Sequence, residues 1–209
     1  MRFYTGCCSL MLILFSIVNP DKTVAAPILA AKVKAVNKSR KHKAADSISI
    51  LTGDTLPEDL ISFARTLTGI NYRYGSTNPL RGFDCSGFVN YVFNHFDIAV
   101  PRSSGDFLSA GHVVDLKDAK PGDLILFTGT GGGGRKRHKR HSGAVGHIGI
   151  MISSIDEGFK FIHSTSGAAN GVTETELNDY YMGRFVKIIR VFSQNDEAAT
   201  PAAADLSSL

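Results

Sequence analysis

The chain has 209 residues, of which 43% are hydrophobic and 20% charged, and it carries a net charge of +4. That balance excludes a disordered or fibrous chain and is the composition of one compact domain with tails. The basic excess sits in two segments without a single acid, 27–43 (Lys32, Lys34, Lys38, Arg40, Lys41, Lys43) and 129–143 (Arg135, Lys136, Arg137, Lys139, Arg140). Without those eleven charges the remainder carries −7, so the folded body is acidic.

From the N-terminus, Arg2, the apolar run Ser9 to Val18 and the small residues Val24-Ala25-Ala26 form the pattern of a secretory signal, predicted over 1–26. A spanning helix needs about 20 apolar residues, and Asn19-Pro20-Asp21-Lys22 ends the run well short of that. Cys7 and Cys8 precede the apolar stretch, a poor position for lipid attachment, and leave with the signal. Cys85 is then the lone thiol of an exported chain, in a compartment where disulfides are normal. Either it is buried as a small apolar residue or it is a nucleophile, and its surroundings must decide.

Residues 27–54, rich in Ala, Lys and Ser, read as a flexible basic linker. The folded domain is predicted over 55–193. Thr55 and Glu58 have capping-box spacing, Pro57 falls in the first turn, and Leu60, Ile61, Ala64 and Leu67 share one face, which predicts a first helix. After a loop containing Gly75, Pro79 and Gly82, the spacing of Phe88, Val89, Val92, Phe93 and Phe96 predicts a second helix with Cys85 at its N-terminus. Beyond Pro121-Gly122 come strand-like runs at Leu124 to Phe127, Ile148 to Ile152, Phe159 to His163 and Val186 to Phe192. Helices first and strands later predict an α+β domain with an antiparallel sheet. Between two of the strands, Gly129 to Gly143 reads as a long exposed hairpin loop, and 194–209 as a disordered Ala-rich tail.

A helix N-terminus offers unpaired N–H groups and a positive dipole end, both of which favour a thiolate and can hold an oxyanion. Gly82 and Gly87 beside Cys85 are expected to let a substrate backbone come close. Of the histidines, His42, His138 and His141 lie in basic segments, His95 lies on the second helix and His112 follows a glycine in a loop. In Gly146-His147-Ile148-Gly149-Ile150 the isoleucines alternate to one face and leave His147 and Gly149 on the other. The same period places His163 at a strand end. A metal held by His138 and His141 is disfavoured, because five fixed cations surround them.

Asn71-Tyr72-Arg73-Tyr74-Gly75, then Gly82-Phe83-Asp84-Cys85-Ser86-Gly87, Val100-Pro101-Arg102-Ser103-Ser104, Pro121-Gly122-Asp123-Leu124, His147-Ile148-Gly149-Ile150 and Phe161-Ile162-His163 occur in this order. In this the sequence resembles the NlpC-type cell-wall peptidases over about residues 56 to 192. The resemblance implies a papain-like fold and an endopeptidase of peptidoglycan stem peptides, cutting between γ-D-glutamate and a diamino acid such as diaminopimelate. It implies Cys85 as nucleophile, His147 as base and His163 as third polar member, with Tyr72 near the oxyanion region and Asp84 and Ser86 flanking the substrate. No cofactor is implied. Phe107 and Ser76 depart from the family pattern, and the loop 129–143 is longer and more basic than usual.

An amidase or acyltransferase with the same trio, and a non-catalytic envelope-binding module, are the other readings. Arg102 reads as a structural ion pair. The basic loop could pass for a nucleic-acid patch; in an exported chain its expected partners are instead anionic envelope polymers, reached through Arg135, Lys136, Arg137, Lys139 and Arg140. The expected location is the periplasm or cell envelope.

Overall fold

A computed structural model describes residues 49–130 and 144–192. The predicted signal 1–26, nearly all of the linker, the basic side chains of the loop and the tail lie outside the described residues.

Helix α1 (Pro57–Thr66) begins with Pro57, whose missing N–H falls where helices leave donors unused, and it buries Leu60, Ile61 and Ala64. Its N-cap is Leu56, without a side-chain cap bond. The capping box expected from Thr55 and Glu58 does not form, because the cap falls one residue later, at Leu56, and the Thr55 amide is engaged in a turn with Thr52 O at 3.2 Å. A short hairpin of β1 (Thr77–Asn78) and β2 (Gly82–Phe83) leads directly into α2 (Cys85–Asn94). Phe88, Val89, Val92 and Phe93 of α2 are buried as their period predicts, each contributing roughly 1.5–3 kcal/mol relative to exposure.

The remaining strands are β3 (His112–Val114), β4 (Leu124–Thr128), β5 (Val145–Met151), β6 (Lys160–Thr165), β7 (Gly171–Glu176) and β8 (Phe185–Arg190), with a short helix α3 (Asp179–Met182) before β8. They form one sheet in the order β3-β8-β4-β5-β6-β7 with antiparallel pairings. The four expected strands are present, with ends shifted by a few residues. β3 and β7 were not expected: β3 is three residues long and mostly exposed, and β7 is an edge strand whose sequence GVTETE buries only its first two residues. His112, expected in a loop, lies on β3.

The sheet is covered on both faces, which is why β4 reads as a continuous apolar run rather than an alternation. Leu124 and Leu126 join Ile148, Ile150 and Ile162 against α1 and α2. Ile125 and Phe127 join Phe161, Tyr181 and Ile188 on the opposite face. α2 packs across β5 and β6, so the start of the helix and the middle of these two strands meet. This is the α+β, papain-like arrangement of N-terminal helices on an antiparallel sheet.

Candidate active site

The chain entering α2 is pinned from both sides. Phe83 N–H donates to Asn71 O at 3.0 Å, Asp84 N–H to Ser76 O at 3.0 Å, and the Ser164 hydroxyl to Phe83 O at 2.8 Å. Asp84 is the N-cap and its carboxylate accepts from Gly87 N–H, a stabilisation of about 1 kcal/mol for such caps. The glycines that frame this segment serve the fold and not a ligand. A Cβ on Gly82, whose φ is +103°, would strike Asn71 O, and one on Gly87 would strike Ser76 O. The expectation that they open space for a substrate is therefore corrected: the protein's own backbone fills that space.

Cys85 is the first residue of α2 and 8% exposed, with Sγ 3.9 Å from Gly146 O. The backbone N–H groups of Ile148, Ser86 and Cys85 act on the thiol and favour its thiolate, as expected of a helix start. Burial nevertheless outweighs them, and with the negative Asp84 nearby it pushes the Cys85 thiol up from its ordinary value. The lowered thiol pKa expected from the helix terminus alone is thus reversed by desolvation.

His147 sits on β5, nine-tenths buried, and His163 is fully buried on β6. His163 is not at the strand end but the fourth of six residues in β6. His147 Nε2 lies 2.7 Å from His163 Nδ1, and His163 Nε2 lies 3.0 Å from Thr175 Oγ1 on β7. If each Nε2 carries the hydrogen, His147 donates to His163, His163 donates to Thr175, and His147 Nδ1 is left as a free base. Gly149 permits this approach, since a Cβ there would press on Phe161 and His163. Among the described residues no hydrogen bond joins Sγ to His147; such bonds commonly tighten only when substrate is bound.

Burial drives the pKa of both rings down; His147, which also feels His163 and Arg184, falls well below 6.5, and His163, which also feels Arg184, falls to about 4. A histidine whose folded pKa is lowered binds protons more readily in the unfolded chain. Its neutral burial therefore costs nothing above about pH 6.5, and stability declines as pH falls from there towards 4. The expected slope is about 1.4 kcal/mol per pH unit for each such histidine. The melting temperature should fall between pH 7 and pH 5, and less steeply in His163→Asn; an unchanged slope in that variant would contradict a buried neutral His163.

Cys85 and His147 open onto a cleft of about 1210 Å3. Tyr72 lines it, and burial followed by the neighbouring Cys85 and Asp84 raises its hydroxyl pKa. Asp84 and Ser86 also line it, with their oxygens engaged: Arg102 donates to both Asp84 oxygens at 3.1 and 2.8 Å and to Ser86 Oγ at 3.0 Å. Arg102 makes the ion pair expected of it and, beyond that expectation, forms part of the cleft wall. Thr175, Tyr180, Tyr181 and Arg184 also reach the cleft and were not singled out from sequence. Thr175 alternates with Thr173 along an otherwise polar strand, a pattern with no chemical signature of its own. Among the described residues no cluster of three or more His, Cys, Asp or Glu could hold a metal.

The helix-start Cys85 thus shares one cleft with His147, which is hydrogen-bonded to His163 on the adjacent strand. The profile described as "NlpC/P60 family" matches residues 69–191. This chain belongs to the NlpC/P60 family. It is 32% identical over 157 residues to the gamma-DL-glutamyl hydrolase of Bacillus subtilis (strain 168), a match covering 75% of this chain and 34% of that protein. It is 34% identical over 138 residues to the probable endopeptidase NlpC of Escherichia coli (strain K12), covering 65% of this chain and 74% of that protein. The crystal structure of an NlpC/P60 family protein from Bacillus cereus ATCC 10987 superposes with a TM-score of 0.55 at 29% identity, over 67% of this chain and 41% of that one. The chain thus spans about a third of the Bacillus hydrolase and most of the NlpC/P60 protein from E. coli. No helix among the described residues is long and apolar enough to cross a membrane.

Proposed function

We propose that this NlpC/P60 protein is a cysteine endopeptidase that hydrolyses γ-D-glutamyl bonds to a diamino acid in peptidoglycan stem peptides. The observation that carries the reading is the relay from His147 through the buried His163 to Thr175, whose two ends line the same cleft as the helix-start cysteine. A merely structural cysteine gives no reason for two buried neutral imidazoles bonded in series beside it. The γ-glutamyl specificity is supported by the name of the Bacillus relative, a gamma-DL-glutamyl hydrolase.

In the resting site both reacting groups are uncharged, because burial favours the neutral thiol and the neutral imidazole. On attack, the Cys85 proton passes to His147 Nδ1 as Sγ bonds to the γ-carbonyl carbon of D-glutamate. The N–H groups at the start of α2 receive the developing oxyanion, a term worth roughly 3–4 kcal/mol per donor in well-formed sites. His147, now imidazolium and still donating from Nε2 to His163, protonates the leaving amine. Water then loses a proton to His147 and attacks the thioester, and Cys85 leaves as thiolate to recover that proton. In this reading Tyr72, which lines the cleft and whose hydroxyl feels Cys85 and Asp84, serves the oxyanion, while Asp84 and Ser86 hold Arg102 in the cleft wall.

The test is incubation with defined muropeptides and identification of the products by mass. Cleavage should give fragments ending in a free γ-D-glutamyl carboxylate and fragments beginning with the diamino acid. Release of intact stem peptide from the sugar would make the protein an amidase instead, and transfer to an added amine an acyltransferase.

The same reading places the protein in the periplasm or cell envelope after export and removal of residues 1–26, with the linker 27–54 ahead of the catalytic domain 55–193 and the tail 194–209. The five cations of Arg135, Lys136, Arg137, Lys139 and Arg140 then serve to hold it near anionic envelope polymers. Deleting residues 135–140 should weaken binding to whole sacculi, most visibly at low salt, because exposed charges are screened beyond about 10 Å at 0.1 M. Cleavage of a small soluble stem peptide should hardly change; its loss in a folded deletion variant would put the loop in the catalytic groove.

A further inference from the structure

Arg184, the residue just before β8, lines the catalytic cleft without forming a hydrogen bond or ion pair to any carboxylate among the described residues. Its guanidinium is held in place by other means. Nε and Nη2 donate to Thr128 O at 3.1 and 2.6 Å, and Nη1 donates to the Tyr180 hydroxyl at 3.0 Å. The group also stacks over the Tyr180 ring at 5.0 Å and the Tyr181 ring at 5.8 Å. These contacts fix the orientation of the fork and leave N–H donors over for a ligand. The Tyr180 hydroxyl, which accepts from Arg184, keeps its own hydrogen to donate. A locked cation beside a free hydroxyl donor in a cleft wall is a carboxylate cradle.

Its position says which part of a substrate would use it. His147 hands its proton to the leaving amine, so the leaving residue lies on the His147 side of Cys85. The His147 ring stacks on Tyr181, with centroids 6.3 Å apart, and Arg184 lies over that same Tyr181. Arg184 is therefore two side-chain contacts from the acid that protonates the leaving group, a span that a long side chain on the leaving residue covers. Asp84 and Arg102, by contrast, gather at the helix start.

We propose that Arg184 and the Tyr180 hydroxyl form a carboxylate subsite on the leaving-group side of the cleft, which makes the enzyme prefer a leaving residue bearing a free carboxylate. The inference rests on the γ-D-glutamyl peptidase reading and adds to it the chemistry that selects the diamino acid. A lysine in that position has no carboxylate at the end of its side chain, whereas a diaminopimelate has one. The α-carboxylate of a C-terminal leaving residue offers the same chemistry. Arg184 also lowers the basicity of His147 and His163, so a bound carboxylate that offsets its field makes His147 a better base when the correct substrate is present.

The experiment measures kcat/KM of the full chain on four soluble peptides of the form L-Ala-γ-D-Glu-diaminopimelate. The side-chain carboxylate and the α-carboxylate of the diaminopimelate are each left free or converted to the carboxamide. Amidating the recognised carboxylate should lower wild-type kcat/KM by on the order of 10- to 100-fold, the scale of a charge-assisted hydrogen-bonded contact, and the two arms tell which carboxylate it is. Arg184→Gln should bring that ratio close to 1, Arg184→Lys should retain part of it, and Tyr180→Phe should reduce it. A wild-type ratio near 1 at both carboxylates overturns the proposal, as does Arg184→Gln lowering all four peptides by one common factor, the signature of a clamp between Thr128 and the tyrosines. Should Arg184→Gln fail to fold, the wild-type ratio and Tyr180→Phe still decide. If the wild type cleaves none of the four, the peptidase reading itself fails and takes this inference with it.

Discussion

Replacing Cys85 with alanine is expected to lower kcat/KM on a γ-D-glutamyl peptide by at least about 10,000-fold, and His147→Ala by a similar factor. In the proposed mechanism the first removes the atom that bonds to the carbonyl, and the second removes the group that carries the proton in both directions. Because the two act as a unit, the double variant should be little worse than either single one. His163→Ala should be milder, since it disturbs the orientation of His147 without touching the reacting atoms. Steady-state kinetics with a soluble peptide, accompanied by melting curves, checks this. Near wild-type turnover in a folded Cys85→Ala protein would remove the nucleophile from the account.

The largest effect on stability is expected at the ion pair that ties Pro121-Gly122-Asp123 to β8. Arg190 donates to both oxygens of Asp123 at 2.9 Å, and the two side chains are 6% and 0% exposed. Burial raises the Asp123 carboxyl while Arg190 lowers it, so the residue depends on its partner to stay charged. Asp123→Ala leaves a buried guanidinium without its counter-charge and should cost about 3–5 kcal/mol, a melting-temperature drop of roughly 10–20 °C for a domain of this size. Replacing both members with apolar residues should recover only part of the loss. Lys120 N–H donates to Asp123 at 2.8 Å and Arg190 donates to Asp118 O at 2.7 Å, and those two backbone groups would lose their partners. Calorimetry of the single and double variants measures it, and a single-variant drop of a degree or two would show that the pair is not holding the fold.

How much of this was legible in the sequence follows from how far each feature depends on distant contacts. Cys85 at a helix start was readable because the turn residues before it and the apolar period after it are both local. His147 was readable because alternating isoleucines fix its face within one strand. Thr175 and Arg184 were not, because each becomes part of the cleft only through pairing: β7 brings Thr173 opposite His163, and β8 lies beside β4. The polar run of β7 does not announce its pairing, and although β8 is recognisable as a strand, its neighbour β4 is not written in its sequence. His163 reads as a strand end when counted from Phe159, whereas the ladder with β7 continues to Thr165 and buries it. The thiol is the sharpest case. The helix terminus favours the thiolate as expected, but the neutral form prevails because the packing of the domain takes water away from Sγ, a quantity no local pattern contains.

The central claim is that Cys85 carries the γ-D-glutamyl acyl group during turnover, and intact-mass analysis of the enzyme quenched in acid while it digests a stem peptide tests it most directly. The account predicts a mass increase equal to the acyl half of the substrate, mapped by peptide digestion to Cys85 and missing from Cys85→Ala. An acyl group found on another residue, or stem-peptide cleavage that persists in Cys85→Ala, would contradict it.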